Sequence, residues 1–401
     1  MTPAIELEGY AEVRASWQVG VDGTPWNLTE RARPTLKADI NERMTFESTV
    51  EASFTEGRDI TDEAAQVILD SEIGDLLEGA GCTYTPAPKY DEASDYLSVE
   101  RFHLDLNLPV ADITIGRQAL NWGAGLVFHP TDLFAEVVAT EPWRERRGVN
   151  AVKAVFPIGR HQVQAVAAVD DDLSGLWEDE VSLPAAGAVK GTLRLGATDL
   201  SVVGAGSTDG DWFAGGEARG TLGVGWWVEG GWHGEAAAPE VVAGVDYSFD
   251  VLNMLYIAAE YRYDGTGAKP EDYDYSQRSI GVDNPFSDCA FLPSTTAEDP
   301  RATLGIHYVD ATARIGFTED LSTNAVVIYN VLDGTGIVVP DVALNVGSHA
   351  AVHVGAQVPF GEDGEFHPGA DALTYGTGDY TADLSGLLPD ATVLGWVRYS
   401  F

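Results

Sequence analysis

Two acidic runs are the residues of this sequence best suited to bind a metal ion. They are Asp170, Asp171 and Asp172 and, a few positions later, Glu178, Asp179 and Glu180. Carboxylate oxygens are hard ligands of the kind that Ca²⁺ prefers. The runs lack the spacing of an EF-hand loop, so we favour the competing explanation, a solvated acidic surface such as a high-salt environment selects. We predict no cofactor, with calcium on these loops as the alternative.

Catalytic motifs are the second kind of chemistry that a sequence can reveal. The chain has no GxSxG, HExxH, CxxC, P-loop or GxGxxG motif, and its eight histidines are scattered. We therefore predict that the protein is not an enzyme. The formal net charge of -40 argues against nucleic acid as a partner, because no excess of basic side chains is available to neutralise phosphates.

Alternation of polar and apolar residues runs through almost the whole chain. In residues 5–19 the odd positions are apolar or small and most even positions are charged or polar, and a similar pattern recurs at 102–108 and 188–195. A period of two residues is that of a β-strand with one wet face. The pattern suits a soluble sandwich with an apolar core as well as a barrel with an apolar outer surface.

The lengths of the connections favour the barrel. The segmentation gives about 18 strands, with about 16 as the alternative, and many have the roughly 9 to 11 residues that a tilted strand needs to cross a bilayer. Short turns alternate with longer connections at 20–33, 55–95, 121–147, 170–187, 264–303 and 361–391. We predict an all-β fold in which residues 1–401 form a single antiparallel transmembrane β-barrel, with short periplasmic turns and long acidic extracellular loops.

Residues 34–54 allow two segmentations. Their apolar even positions keep one parity throughout, so they could form one long strand or two strands, about 34–40 and 44–54, joined by a tight turn. We prefer two strands, because that gives an even strand number and places the 55–95 loop on the same rim as the other long loops.

The C-terminus carries the first resemblance to a known family. Its last strand has Val393, Gly395, Val397, Tyr399 and Phe401 on one face. This ending resembles the assembly signal of Gram-negative outer-membrane β-barrels, with Tyr399 and Phe401 as its aromatic positions. The resemblance implies a mature outer-membrane protein whose signal peptide has been removed, with membrane lipid and the barrel-assembly machinery as partners.

A second, local resemblance lies in residues 116–134, GRQALNWGAGLVFHPTDLF, and in RRGVNAVKAVFPIG, which begins at Arg146. These stretches are similar to segments of porin-like barrels of the alginate-export and phosphate-selective type. Those families move polyanions through arginine-rich lumens, whereas the charges on the predicted inner faces of this chain are nearly balanced. No substrate is therefore assigned from the resemblance.

The polar faces of the strands supply candidate pore-lining residues. These are Arg14, Lys153, Lys190, Arg194, Arg219, Arg262, Glu12, Glu47 and Glu51. Acids gather on the first three predicted strands and bases on the sixth to tenth, and opposed walls of unlike charge would favour polar solutes. The alternative is that these charges only hydrate a wet surface and pair across strands.

Residues 121–147 form the third long loop, and its first half is too apolar to face water. In general porins an inward-folded third loop narrows the lumen, and a barrel of about 18 strands would otherwise leave a wide channel. We predict a pore constriction formed by Arg117, Gln118, Asp132, Arg144, Arg146 and Arg147. The alternative is that the loop packs over the rim or against a neighbouring subunit.

The two cysteines, Cys82 and Cys289, fall in long loops on the same predicted rim. Disulfides persist outside the cytosol, so we predict a bridge between them, with two free thiols as the alternative. The predicted function is a porin-like channel for passive passage of small polar solutes. One alternative is a non-conducting barrel that acts as an envelope scaffold or receptor through its acidic loops, with a homo-oligomer or an envelope protein as partner. Another is a soluble acidic β protein.

Overall fold

The structure is a computed structural model, and it describes residues 4–21, 25–58, 70, 96–134, 145–169, 185–208, 210–234, 236–273, 303–368, 374–377, 380–383 and 389–401. Within these ranges the chain is all β, apart from one 3-10 helix at Pro270–Asp272. None of the described residues belongs to a helix long and apolar enough to cross a membrane.

Eighteen strands form one closed antiparallel sheet, which confirms the predicted all-β barrel of about 18 strands. They are β1 (Ile5–Val19), β2 (Trp26–Asn41), β3 (Met44–Arg58), β4 (Tyr96–Asn107), β5 (Asp112–Gln118), β6 (Val149–Ile158), β7 (His161–Val169), β8 (Ala185–Leu195), β9 (Thr198–Ser207), β10 (Trp212–Thr221), β11 (Gly225–His233), β12 (Ala238–Phe249), β13 (Met254–Asp264), β14 (His307–Gly316), β15 (Leu321–Asn330), β16 (Gly336–Val346), β17 (Ala350–Phe360) and β20 (Ala391–Ser400). A separate hairpin pairs β18 (Thr374–Thr377) with β19 (Tyr380–Asp383).

The barrel closes where the first strand pairs with the last. The register between β1 and β20 runs from Tyr10 opposite Ser400 to Val19 opposite Ala391. Beyond it, the Gly9 N–H donates to the Phe401 carbonyl at 3.1 Å and the Phe401 N–H donates to the Gly9 carbonyl at 3.0 Å. The final residue therefore belongs to the closing ladder, and this seam leaves no unpaired edge.

The second strand corrects the segmentation. Residues 34–54 are two strands, as preferred, joined by a turn at Glu42 and Arg43. However, β2 begins at Trp26, which pairs with Trp17 of β1, so the predicted loop at 20–33 is wrong. Two residues interrupt the sequence pattern by which this strand could have been recognised. Pro34 cannot donate to a sheet, and Glu30 puts a charge on the otherwise apolar outward face.

The two faces of the wall have opposite polarity. Outward side chains such as Leu97 and Val202 are 77% and 71% exposed, whereas Glu12, Glu229 and Glu260, which point inward, are buried. This is the reverse of a soluble sandwich, in which the apolar face is the hidden one. The alternation seen in the sequence thus marks an apolar outer surface and a polar lumen.

Candidate functional site

Residues 119–134, here called the inner segment, follow β5 and lie against the inner surface of the barrel. Leu120 and Trp122 are buried in a cluster contributed by β6 to β10, whose members are Ala151, Val166, Ala168, Ala188, Val203 and Phe213. The Trp122 indole N–H donates to Gln164 Oε1 at 3.1 Å. This part of the wall carries small and apolar inward residues, and the inner segment buries them.

The tip of the inner segment contacts strands farther around the barrel. Val127 and Phe128 are buried with Trp227, Val242, Ala258, Tyr308, Val326, Ile328 and Val339, which come from β11 to β16. The ring centroids of Phe128 and Tyr308 are 5.9 Å apart. The inner segment therefore covers two apolar clusters, one on β6 to β10 and the other on β11 to β16.

Two inward carboxylates hold the backbone of the inner segment. Glu260 accepts from the Leu126 N–H at 2.7 Å and the Val127 N–H at 2.8 Å, and also from the Trp227 indole at 2.6 Å. Glu229 accepts from the Ala124 N–H. A non-strand segment inside a barrel must find acceptors for its N–H groups, and a buried carboxylate must find donors, so each satisfies the other.

The returning end of the loop contacts the opposite part of the wall. Glu145 accepts from Arg33 of β2 at 2.8 Å, and the Arg146 carbonyl accepts from Arg101 of β4 at 2.7 Å. The Arg146 guanidinium also forms an ion pair with Asp132 of the inner segment. The described parts of this loop thus contact inward residues on both sides of the lumen.

Five inward arginines on neighbouring strands form what we call the arginine wall. They are Arg14 of β1, Arg31 and Arg33 of β2, Arg101 of β4 and Arg398 of β20. Three glutamates lie among them. Glu12 accepts from Arg14 at 2.8 Å and from Arg398 at 2.7 Å, and Glu51 lies 2.9 Å from Arg33 and 3.5 Å from Arg31. Glu100, the third, lies 4.0 Å from Arg101.

Arg31 and Arg33 add positive charge to the first three strands, since both lay in the predicted loop at 20–33 and were not counted as inward residues. The predicted excess of acids there becomes smaller but remains, with six inward acids against four inward bases on β1 to β3. The acids are Glu6, Glu8, Glu12, Asp39, Glu47 and Glu51, and the bases are Arg14, Arg31, Arg33 and Lys37. In the structure both arginines face the lumen beside Glu51. Trp26 and Leu28, which precede these arginines at alternate positions and face outward, are the residues in the sequence that indicate the strand.

The other predicted pore-lining residues lie on inward positions of the wall, and most have partners. Lys190 lies 2.7 Å from Glu217, and Arg262 lies 2.6 Å from Glu240 and 2.9 Å from Asp264. Lys153 pairs in register with Thr114, and Glu47 with Lys37. Arg194 and Arg219 are exposed near the short-turn end, with Arg219 3.8 Å from Asp199.

The predicted constriction residues are only partly brought together. Asp132 and Arg146 contact each other. Gln118 is 2% exposed, and its side-chain amide donates to the carbonyls of Thr114, Gly116 and Ala151, so it belongs to the wall beneath the inner segment. Arg117 packs against Gly148, and Arg147 is exposed. Arg144 lies outside the described residues.

Several other predictions also fall outside the described residues. They concern the Cys82–Cys289 bridge and the calcium candidates Asp170, Asp171, Asp172, Glu178, Asp179 and Glu180, and they stay predictions. In the part of the chain that the structure does describe, no group of three or more His, Cys, Asp or Glu side chains is placed to hold a metal ion.

Two titratable groups of the inner segment have shifted pKa values. Burial, aided by the nearby Arg146 cation, lowers the pKa of His129 to about 4. Burial raises the pKa of Asp132, although its ion pair with Arg146 opposes the shift. The structure therefore favours an uncharged His129 ring.

Acid is expected to loosen the inner segment through His129. The unshifted pKa of histidine is about 6.5. The packed state thus loses stability as the pH falls from about 6.5 to about 4, and the loss is complete below that window. Asp132 acts in the opposite direction, because acid protonates a carboxyl whose neutral form the packed state prefers. We expect the midpoint of denaturant unfolding to fall between pH 7 and pH 4.5, and His129→Gln to reduce that fall. Identical pH profiles for the two proteins would contradict this assignment.

No family model matches the chain, and no curated protein matches it in sequence. Solved structures do share its fold. OccAB1 of Acinetobacter baumannii superposes with a TM-score of 0.54 at 11% identity, covering 99% of this chain and 96% of that one. OccK2 of Pseudomonas aeruginosa, solved in complex with glucuronate, gives 0.53 at 10% identity, with coverage of 99% and 98%.

A third similar structure is Wzi of Escherichia coli, described as an outer-membrane protein involved in group 1 capsule assembly and as a carbohydrate-binding β-barrel. Its TM-score is 0.53 at 10% identity, covering 97% of this chain and 83% of that one. Identities this low establish the fold alone. The chain is thus an all-β barrel with the architecture of the Occ outer-membrane channels and of Wzi.

Proposed function

We propose that the protein is a channel in the outer membrane of a Gram-negative bacterium, through which small polar solutes pass passively along the arginine wall. The observation that carries the proposal is the fixed position of the inner segment. It is held to Glu229 and Glu260 on one side of the lumen, while the arginine wall lies on the other. We also propose that the chain is related to the alginate-export and phosphate-selective barrels, which residues 116–134 resemble.

The outer surface supports a membrane location. Exposed aromatic residues lie near the long-loop rim on β1 to β3 and on several strands from β10 to β17, at Trp17, Trp26, Phe54, Trp212, Trp232, Tyr261, Tyr329 and Phe360. Others lie near the short turns at Phe156, Tyr247, Phe249, Phe317, Tyr399 and Phe401. Exposed aliphatic residues such as Val13, Val152 and Val354 lie between these two levels. Aromatic girdles on either side of an apolar band are typical of barrels whose outer surface contacts lipid.

The charges of the arginine wall favour anionic over cationic solutes. Five arginines face four glutamates when Glu145, which accepts from Arg33, is counted with Glu12, Glu51 and Glu100, so the net charge of this group is positive by one. A guanidinium is well shaped to bind a carboxylate. The glucuronate bound to OccK2, a carboxylate sugar, is consistent with this preference. We therefore place carboxylate-bearing polar solutes among those that this channel passes.

Ion selectivity in a planar bilayer tests the proposal. The double variant Arg31→Gln and Arg101→Gln leaves Glu51 with Arg33 and leaves Glu100 with Ser98, so no wall glutamate loses every donor. We expect its anion-to-cation permeability ratio, measured from reversal potentials, to fall severalfold. Arg219→Gln, at an exposed arginine of the short-turn end, is the control and should change the ratio little. Equal effects of the two changes would contradict a passage along the arginine wall.

The second candidate function is a non-conducting barrel that acts as an envelope scaffold or receptor. The tight apolar packing of the inner segment within the lumen favours it, and so does the likeness to Wzi, a carbohydrate-binding barrel. A correctly folded barrel that conducts no ions would select this candidate. A protein that stays monodisperse in buffer without detergent would exclude both candidates and the membrane location with them.

The partners follow from the membrane location and stay proposals. Lipid would surround the apolar band, and the barrel-assembly machinery would recognise the C-terminal strand, whose aromatic residues Tyr399 and Phe401 are exposed. A second copy or an envelope protein would bind at the long-loop rim.

A further inference from the structure

The segment that follows β17 turns inward at the long-loop rim. Glu362, near its start, is exposed, whereas Gly364 and Glu365 are buried. Phe366 packs against the apolar cluster that contains the tip of the inner segment. Residues 361–367, here called the rim segment, therefore reach the same part of the lumen as the inner segment.

Glu365 of the rim segment is 0% exposed and connects three parts of the chain. Its carboxylate accepts from the Leu304 N–H at 2.8 Å, from the Asn330 side-chain amide at 2.8 Å and from the Tyr308 hydroxyl. Leu304 precedes β14, Tyr308 lies on β14, and Asn330 ends β15. A buried carboxylate that loses its donors costs free energy, so these three groups stay together as long as Glu365 is in place.

Backbone contacts fix the rim segment independently of the Glu365 side chain. The Glu365 N–H donates to Asp333 Oδ2 at 2.8 Å, and the Phe366 N–H donates to the Thr335 hydroxyl at 3.1 Å. A Cβ on Gly364 would lie 2.5 Å from the methyl carbon of Thr335, so the segment lies directly against the connection between β15 and β16. A substitution at Glu365 can therefore remove the carboxylate and leave these contacts in place.

Two side chains enclose Phe128 at the tip of the inner segment. One is Tyr308, whose ring centroid lies 5.9 Å from that of Phe128. The other is Arg262, whose guanidinium carbon lies 4.3 Å from the centroid of the Phe128 ring and which donates to the Thr303 hydroxyl at 2.7 Å. Tyr308 therefore contacts the rim segment through its hydroxyl and the inner segment through its ring.

We infer that Glu365 is a positioning residue that holds the tip of the inner segment in place from the long-loop rim. Glu365 fixes the Tyr308 hydroxyl, and the fixed ring of Tyr308 holds Phe128 against the wall. Glu229 and Glu260 hold the backbone of the inner segment separately, so loss of the Glu365 carboxylate frees the tip only in part. This role does not require the barrel to conduct, but its effect on the width of the passage rests on the proposed function.

Hydrogen exchange of the full chain in detergent micelles, measured by mass spectrometry of its peptides, tests this inference. Glu365→Ala removes the carboxylate, and Glu362→Ala, the same change at an exposed glutamate of the rim segment, is the matched control. We expect Glu365→Ala to speed exchange severalfold at residues 122–130 as well as at 303–308, because a tip held less firmly opens more often. Glu362→Ala should change neither, and exchange in β1 is the internal reference.

A second variant separates positioning of the inner segment from a purely local role of Glu365. Tyr308→Phe keeps the ring beside Phe128 but removes the hydroxyl that donates to Glu365, and it should speed exchange at residues 122–130 by a smaller factor. If exchange rises at 303–308 and stays native at 122–130 in both variants, Glu365 acts only locally and the inference is overturned. Tyr308→Phe alone decides if Glu365→Ala does not reach the heat-modifiable folded form.

The outcomes also separate this inference from the proposed function. Hydrogen exchange needs no conduction, so a folded barrel that carries no current would remove the proposed channel and leave the role of Glu365 intact. A conducting barrel in which both variants show native exchange at residues 122–130 would keep the channel and overturn the positioning role.

Discussion

Deletion of residues 124–134 is expected to raise the single-channel conductance severalfold. The deleted residues include Val127 and Phe128 at the tip of the inner segment, and the backbone N–H groups that donate hydrogen bonds to Glu229 and Glu260. Their loss removes the part of the loop that crosses toward β14. A lumen of this strand number is wide when no loop occupies it, so the conducting cross-section should grow.

The deletion needs controls for folding and for size. A barrel of this kind migrates differently on a gel before and after heating, so unheated mobility reports whether the variant has folded. Deletion of the hairpin at 374–383, which is not part of the barrel sheet, is the matched control and should leave conductance close to that of the native chain. An unchanged conductance in a correctly folded 124–134 deletion would show that the inner segment does not limit the passage.

Removal of Phe401 is expected to abolish membrane assembly while leaving synthesis intact. Phe401 exchanges two backbone hydrogen bonds with Gly9 across the seam, and its ring is 48% exposed on the outward face. The ring is thus placed to enter the membrane interface as the last strand joins the first. We expect Phe401→Asp to behave as the deletion does, because a carboxylate at the membrane interface cannot replace an apolar ring.

An aromatic replacement separates the ring from the residue itself. Phe401→Trp keeps an aromatic side chain at the interface and should assemble almost normally. The readout is the fraction of the chain that is membrane-inserted and heat-modifiable, compared with the total amount synthesised. Normal assembly of Phe401→Asp would remove any role for the terminal ring.

The bounds of a strand could be predicted from the sequence where its outward positions stay apolar over a long stretch. Strand β1 alternates without interruption from Ile5 to Val19, and the structure gives it those same bounds. Strand β2 fails this test because Glu30 faces outward and Pro34 interrupts the ladder. A strand that pairs on both sides can tolerate one charge and one missing donor, since its neighbours fix its position, and no local pattern in the sequence reports that support.

Burial of the inner segment could also be predicted, but its contacts could not. Trp122, Val127 and Phe128 were too apolar for a loop in water, and the structure buries all three. The acceptors of its backbone N–H groups, Glu229 and Glu260, are separated from it by more than a hundred residues. Every strand of the wall offers inward polar residues, so only the closed barrel determines which carboxylates meet the segment.

The pairing of β1 with β20 affects both the rate of folding and the tendency of the chain to aggregate before folding is complete. Every other pairing in the barrel joins two barrel strands that follow each other along the chain, but Glu12 and Arg398, which meet across the seam, are 386 residues apart. The entropy lost on closing so long a loop is regained only when the final strand arrives, and chains rich in distant contacts fold slowly. Until then the sheet has two open edges with apolar outer faces, a state prone to aggregate. The finished barrel is edgeless, whereas its precursor needs to be held apart from its own copies for as long as the last strand is missing.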